Sequence, residues 1–91
     1  MVVTLAEAKL YLRVDGDEED TLITNFISTA EELCEGILRM PISGLTEIPE
    51  VVKQSVLFAV GNLYQERENV DMKTLLGVMA RLLFAYRQEE W

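Results

Sequence analysis

The apolar residues of the chain recur at helical spacing and predict four helices with no strands. The second predicted helix shows this most clearly, because on a wheel of about 100° per residue its apolar residues fall within about 160°. These residues are Leu22, Ile23, Phe26, Ile27, Ala30, Leu33, Cys34, Ile37 and Leu38. The opposite arc is polar and includes Glu31, Glu32 and Glu35. Such a pattern is typical of a helix with one buried face and one acidic face.

Start and stop signals place the helices at about 5–12, 18–38, 49–67 and 73–86. Thr4 and Glu7 have the spacing of a capping box before the first helix. Asp17 is the expected N-cap of the second helix, where the acids that follow it complement the helix dipole. Pro49 suits the first position of the third helix. We therefore predict an all-α, four-helix domain that comprises residues 1–91.

The third predicted helix has apolar residues on two sides, which a chain of 91 residues can cover only in part. One sector of about 160° holds Val52, Val56, Leu57, Ala59, Val60, Leu63 and Tyr64. Val51 and Phe58 lie nearly opposite, and Phe84 lies off the main apolar face of the fourth helix. Exposed together, and bordered by Tyr64, these side chains would form an unusually large apolar patch for a monomer. We expect them to contribute to an interface between subunits.

Two features near the C-terminus have both a plain interpretation and one that involves a neighbouring subunit. Tyr86 and Arg87 are either a packing tyrosine beside a solvated arginine or a contact between subunits, and we include them in the candidate interface. Trp91 is either part of a frayed end or an aromatic residue that docks into a neighbour.

The net charge of −8 and the absence of histidine narrow the functional classes. An acidic surface repels phosphates, which disfavours tight binding to nucleic acid. Without histidine the chain lacks the usual general base and the commonest zinc ligand. No apolar run reaches the roughly 18 residues of a membrane span. The N-terminal residues show no signal-peptide pattern, so we expect an intracellular chain.

The remaining candidates for chemistry have stronger structural interpretations. Cys34 falls on the apolar face of the second helix and is expected to be a buried packing residue rather than a reactive thiol. The acidic run 15–20 suggests calcium, but the sixth and twelfth positions counted from Asp15 hold Asp20 and Phe26, where an EF-hand needs glycine and an acid. We predict no catalytic set, no cofactor and no metal site.

Three segments of the chain form a recognisable series: TLAEAKLYLRVD with the following Glu19-Asp20 and Leu22-Ile23, then IPEVVKQSVL with YQERE, and finally Gly77-Val78, Leu82-Leu83 and Tyr86-Arg87. In order and spacing these segments resemble the small head–tail connector proteins of tailed double-stranded DNA phages and prophages, also called head-completion, adaptor or DNA-packaging proteins. The resemblance implies a non-enzymatic subunit of a homo-oligomeric ring that lies below the portal protein. Such a ring extends the DNA channel and carries a stopper or tail-completion protein.

The resemblance also implies assembly in the host cytoplasm and a final place at the virion head–tail junction, where DNA passes without specific binding. In such a ring the acidic face with Glu31, Glu32 and Glu35 either lines the channel or faces solvent. The main alternative is a small acidic, antitoxin-like module that regulates or binds another protein. A small enzyme and a nucleic-acid-binding domain are disfavoured by the missing histidine and by the charge.

Overall fold

The computed structural model describes residues 3–39, 48–66 and 69–84, and within these ranges it contains four helices and no strand. The helices are α1 (Leu5–Leu12), α2 (Asp20–Leu38), α3 (Glu50–Gln65) and α4 (Met72–Leu83). The prediction of a small all-α, four-helix fold is confirmed.

Side-chain caps account for the starts of α1 and α4. The Thr4–Glu7 capping box is present: the Glu7 amide donates to Thr4 Oγ1 at 3.1 Å, and the Thr4 amide donates to Glu7 Oε1 at 3.0 Å. Asp71 caps α4 by accepting from the Thr74 amide at 3.1 Å, and it also accepts from the Thr74 hydroxyl at 2.8 Å. The hydroxyl bond, followed by the amide bond, lowers the pKa of the Asp71 carboxyl group. Each of these side chains pairs an amide that the first turn of a helix leaves without a partner.

The prediction that Asp17 caps α2 is wrong. The helix begins at Asp20, and Glu19 occupies the N-cap position without a side-chain capping bond. Contacts with two other helices explain why α2 begins at Asp20 and is not capped by Asp17. Lys9 Nζ pairs with Asp17 at 3.2 Å and with Asp20 at 2.8 Å, while the Tyr64 hydroxyl donates to the Glu19 carboxylate. The acidic run therefore joins α1 and α3 to the start of α2, and it does not cap its own helix.

The core forms around α3, which packs against each of the other three helices. The fully buried side chains of α2 and α4 include Ile23, Ile27, Ala30, Cys34, Leu38, Leu75, Met79 and Leu83. From α3, Val52, Val56, Ala59 and Val60 are fully buried, and Leu57 and Leu63 are nearly so. The sector of α3 predicted to be its main apolar face is thus the one that packs into the core.

The short helix α1 covers a further side of α3 through two kinds of contact. Lys53 Nζ of α3 pairs with Glu7 Oε2 of α1 at 2.6 Å. One turn further along α1, the Tyr11 ring lies over Gly61, so close that a Cβ added at Gly61 would be 3.1 Å from Tyr11 Cε2. The wide buried arc of α3 is explained in part by this cover from its own chain.

Candidate interaction surfaces

The side chains predicted to form an interface on α3 are half-buried within the subunit. Val51, Phe58 and Tyr64 keep part of their surface exposed, and Phe58 and Tyr64 also pack against the core of their own chain. The Tyr64 hydroxyl is bonded to Glu19, as described above. Their role between subunits stays a prediction, with less apolar surface to offer than the helical wheel suggests.

Outside α3, the predicted interface residue that the structure describes is Phe84. It follows the last residue of α4, and 70% of it is exposed. Tyr86, Arg87 and Trp91 lie outside the described residues. Phe84 is therefore the member of the predicted set with the most apolar surface available to a partner among those described.

Leu10 on α1 has the largest exposed fraction, 82%, of the large apolar side chains in the described ranges, and it is not among the residues predicted to form an interface. It lies at an open groove of about 480 Å³ whose lining is Ala6, Lys9, Leu10, Arg13, Val14 and Asp15. The signal was available in the sequence: Leu5, Ala8 and Leu12 share the inner face of α1, and this spacing leaves Leu10 outside it.

The outer face of α2 is a continuous exposed stripe. We call it the α2 stripe; its members are Thr21, Asn25, Ser28, Thr29, Glu32 and Gly36, all of them exposed. Of the three glutamates predicted to form an acidic face, Glu32 lies on this stripe. Glu31 and Glu35 are half-buried on its flank. The helix carries four acidic residues and no basic residue between its first and last residues.

The outer face of α4 has the opposite charge. We call it the α4 stripe; its members are Lys73, Gly77, Arg81 and Phe84, all of them exposed. The helix contains these two basic residues and no acidic residue. In the described part of the chain neither cation forms an ion pair; Arg81 Nε makes a long 3.4 Å bond to the Gly77 carbonyl of its own helix.

Cys34 is fully buried, as predicted. Burial, with smaller contributions from the charges of Glu35 and Glu31, raises the pKa of the thiol to about 11. A thiol is a nucleophile only as the thiolate, so Cys34 is poorly suited to react near pH 7. The described ranges contain no group of three or more His, Cys, Asp or Glu residues placed to hold a metal ion. Their helices also include none with the length and apolar character to cross a membrane.

A family model described as phage gp6-like head-tail connector protein matches residues 2–83, which include all four helices. The chain belongs to this family. The predicted resemblance to head–tail connector proteins is thereby confirmed. No curated protein and no solved structure matches the chain. Membership in the connector family gives the protein a structural role in phage assembly, as a virion component that interacts with other head or tail proteins.

Proposed function

We propose that this connector assembles into a homo-oligomeric ring below the portal protein, where it extends the DNA channel and joins head to tail. The observation that carries the proposal is the match of the connector family model to residues 2–83. In this role the subunit binds the portal on one side and a stopper or tail-completion protein on the other. It acts in the host cytoplasm during assembly and stays at the head–tail junction of the virion.

The exposed side chains support a role in assembly. Leu10 and Phe84 are large apolar residues that are mostly exposed, and they lie on different helices. Each offers a place where burial against another protein is favourable. The half-buried Val51 and Phe58 would add to such a contact at the edge of the core. Several separate sites for partners are what a subunit with neighbours, a portal and a tail protein requires.

The proposed role is non-enzymatic. The chain has no histidine, and its single cysteine is buried with a raised thiol pKa. The net charge of −8 suits a channel component, because repulsion of phosphates lets DNA pass without being held. We assign Glu31 and Glu35, on the flank of the α2 stripe, to the channel side of the ring.

The channel assignment is tested by charge reversal. The double substitution Glu31→Lys with Glu35→Lys should give a folded protein that assembles into particles but impairs DNA passage. Circular dichroism checks the fold, and the number of plaque-forming particles per assembled particle checks passage. A normal ratio in folded double-mutant particles would contradict the channel assignment.

The ring itself is tested by deleting the gene from a phage that carries it. The expected result is normal heads with packaged DNA but no attached tails, and recovery of tailed particles when the gene is supplied in trans. Electron cryomicroscopy of wild-type particles should show a ring of this four-helix subunit between portal and tail. Tailed, infectious particles from the deletion strain would overturn the proposal.

A further inference from the structure

We propose that the α4 stripe of one copy packs against the α2 stripe of the next copy, with Lys73 and Arg81 facing Glu32. The inference rests on the proposed ring and specifies which surfaces join its subunits. The partner of each stripe is a second copy of this chain.

The α4 stripe has the geometry of a helix face prepared for a partner. From Lys73, steps of four residues lead to Gly77 and Arg81, and Phe84 lies three residues further. On a wheel of about 100° per residue these four positions fall within about 80°. At about 1.5 Å per residue the two cations are about 12 Å apart along the helix, with the glycine between them.

The α2 stripe is the complementary face. Its residues are small or polar and uncharged except for Glu32, which carries the negative charge of the stripe. Its six positions fall within about 100° of the wheel. Glu31 and Glu35 project from the same helix on the flank of this stripe. The exposed Arg39 at the C-cap marks the end of this acidic region.

Each stripe contains an exposed glycine that the subunit does not need for its own fold. A Cβ built at Gly36 or at Gly77 would meet nothing within 4 Å, and neither residue has the positive φ that favours glycine. Glycine inside a helix is unfavourable relative to alanine. A face without a Cβ allows the backbone of another helix to approach closely. In both stripes that approach would come from outside the subunit.

Charge selects which two faces meet. The chain as a whole carries −8, so most contacts between copies bring like charges together. Pairing α4 with α4 would place cations on cations, and pairing α2 with α2 would place glutamates on glutamates. Pairing α4 with α2 joins a helix with two basic residues and no acid to the exposed face of α2 that carries Glu32 and no base. Arg81 would exchange its long bond to the Gly77 carbonyl for a carboxylate.

A contact between two different faces is heterologous, and repetition of it closes into a ring when the rotation allows. Phe84 lies at one end of the contact, where its exposed ring is covered by the neighbouring α2. Glu31 and Glu35 stay on the flank, so the contact is compatible with their proposed place on the channel side. The pairing thus accounts for Phe84 of the predicted interface, and it gives Glu32 a role between subunits.

The test uses the purified full-length chain and three variants: Glu32→Lys, the double variant Lys73→Glu with Arg81→Glu, and the control Glu18→Lys. Glu18 is exposed in the turn before α2, so its reversal changes the net charge as Glu32→Lys does but leaves both stripes intact. Sedimentation velocity up to millimolar concentration and electron microscopy measure assembly. Circular dichroism confirms that each variant is folded.

Wild type and Glu18→Lys should form annular oligomers. Glu32→Lys alone and the double variant alone should each assemble at least about tenfold more weakly, since like charges then face each other at every contact. Mixed in equal amounts, these two should assemble again, because each α4 stripe then meets an α2 stripe of opposite charge. In a mixture of the double variant with Glu18→Lys, assembly should not exceed that of Glu18→Lys alone, because the acidic α4 stripe of the double variant meets an acidic α2 stripe on every copy.

Three results would overturn the inference: wild type that stays monomeric at millimolar concentration, variants that assemble as wild type does, or a mixture that fails to recover. These results leave the proposed function standing if electron cryomicroscopy still shows a ring of this subunit at the head–tail junction. Loss of that ring from the particles would contradict the proposed function itself. The two failures are therefore distinguishable.

Discussion

Two helical glycines, Gly61 on α3 and Gly77 on α4, occupy opposite environments. Gly61 is buried, and a Cβ added there would lie 3.1 Å from Cε2 of the Tyr11 ring of α1, closer than ordinary van der Waals contact. Gly77 is exposed, and a Cβ added there would meet nothing within 4 Å. Both are followed by further helical turns, so neither ends a helix.

Gly61 thus belongs to a contact already made within the subunit, whereas Gly77 belongs to a surface still available to a partner. At Gly61 the missing side chain lets α1 lie close to α3, and the Lys53–Glu7 pair at 2.6 Å holds the same two helices together. At Gly77 no part of the described chain uses the space, although the residue costs helix stability. The same residue type thus serves the fold of the subunit in one helix and, in our proposal, the assembly of subunits in the other.

The largest expected effect comes from making the same change at both positions. Gly61→Leu should destabilise the protein by about 1–3 kcal/mol, because the new side chain must displace the Tyr11 ring from a packed contact. Gly77→Leu, the matched control, should stabilise the monomeric subunit by about 0.5–1 kcal/mol, because leucine favours a helix and meets no obstacle there. Urea titrations of both variants at a concentration below assembly measure the two changes.

The sign of the effect decides this comparison. A loss of stability in both variants would mean that Gly77 is not in open space. A gain in both would mean that Tyr11 yields easily, so that the α1–α3 contact does not depend on the small residue.

A smaller loss of stability is expected from a change at the N-terminus of α1, the helix that covers Gly61. The helix α1 has only eight residues, shorter than isolated helices that hold together in water. Thr4→Ala removes the capping bond to the Glu7 amide and should cost about 1 kcal/mol. Thr4→Ser keeps a hydroxyl at the N-cap and should recover most of that loss in the same urea titration. Equal losses in the two variants would show that the capping oxygen is not the cause.

Most of the fold could be predicted from short-range patterns in the sequence. The capping box at Thr4, the proline before α3 and the apolar spacing of α2 are all read from residues within a few positions of each other. They gave four helices with bounds within a few residues of those observed. Pro49, expected at the first position of the third helix, is instead its N-cap residue. The prediction that Asp17 caps α2 failed because it depends on a residue of another helix: Lys9 of α1 pairs with the Asp17 carboxylate. The covering of Gly61 by Tyr11 joins residues fifty positions apart, so no local pattern could reveal it.

The candidate surfaces were harder to predict, because surplus apolar residues in a sequence do not show which of them the subunit buries itself. Phe58 and Tyr64 were assigned to an interface, yet part of each packs in its own subunit. In α4 the informative residues were the polar ones that interrupt the apolar set. The spacing of Lys73, Gly77 and Arg81 was visible in the sequence. Their complementarity to the α2 stripe required knowing which positions remain exposed.

A third prediction separates stability from assembly at the exposed glycines. Gly77→Ala and Gly36→Ala should each stabilise the monomeric subunit by about 0.5–1 kcal/mol, because alanine is the better helix former. The same changes should weaken assembly, since the added methyl group keeps the neighbouring helices apart. Thermal unfolding of dilute protein measures the first effect, and sedimentation velocity at high concentration measures the second. Unchanged assembly in both variants would argue against a close approach at these positions.

The smallest expected effect is the pH dependence of the ion pair that holds α1 on α3. The bond from Lys53 lowers the pKa of Glu7 below its ordinary value of 4.5, and Glu7 raises the pKa of Lys53 above 10.5. A carboxyl group with a lowered pKa stabilises the fold above its unfolded pKa, and this contribution is lost as the pH falls through the folded pKa. For a lysine with a raised pKa, the contribution is present below 10.5 and is lost as the pH rises through the folded value.

Lys53→Met should therefore flatten the dependence of the melting temperature on pH at both the acid end, where Glu7 titrates, and the alkaline end, where Lys53 titrates. The bond from Thr74 and the backbone amides also lower the pKa of Asp71, the cap of α4, and this acid-side contribution should persist in the variant. Asp71→Asn is the matched change at the N-cap of α4, and it should alter only the acid side of the dependence of melting temperature on pH. If Lys53→Met left the alkaline side of the curve unchanged, the Glu7–Lys53 pair would not be what holds α1 against α3. The cover over Gly61 would then depend on the packing of Tyr11 alone.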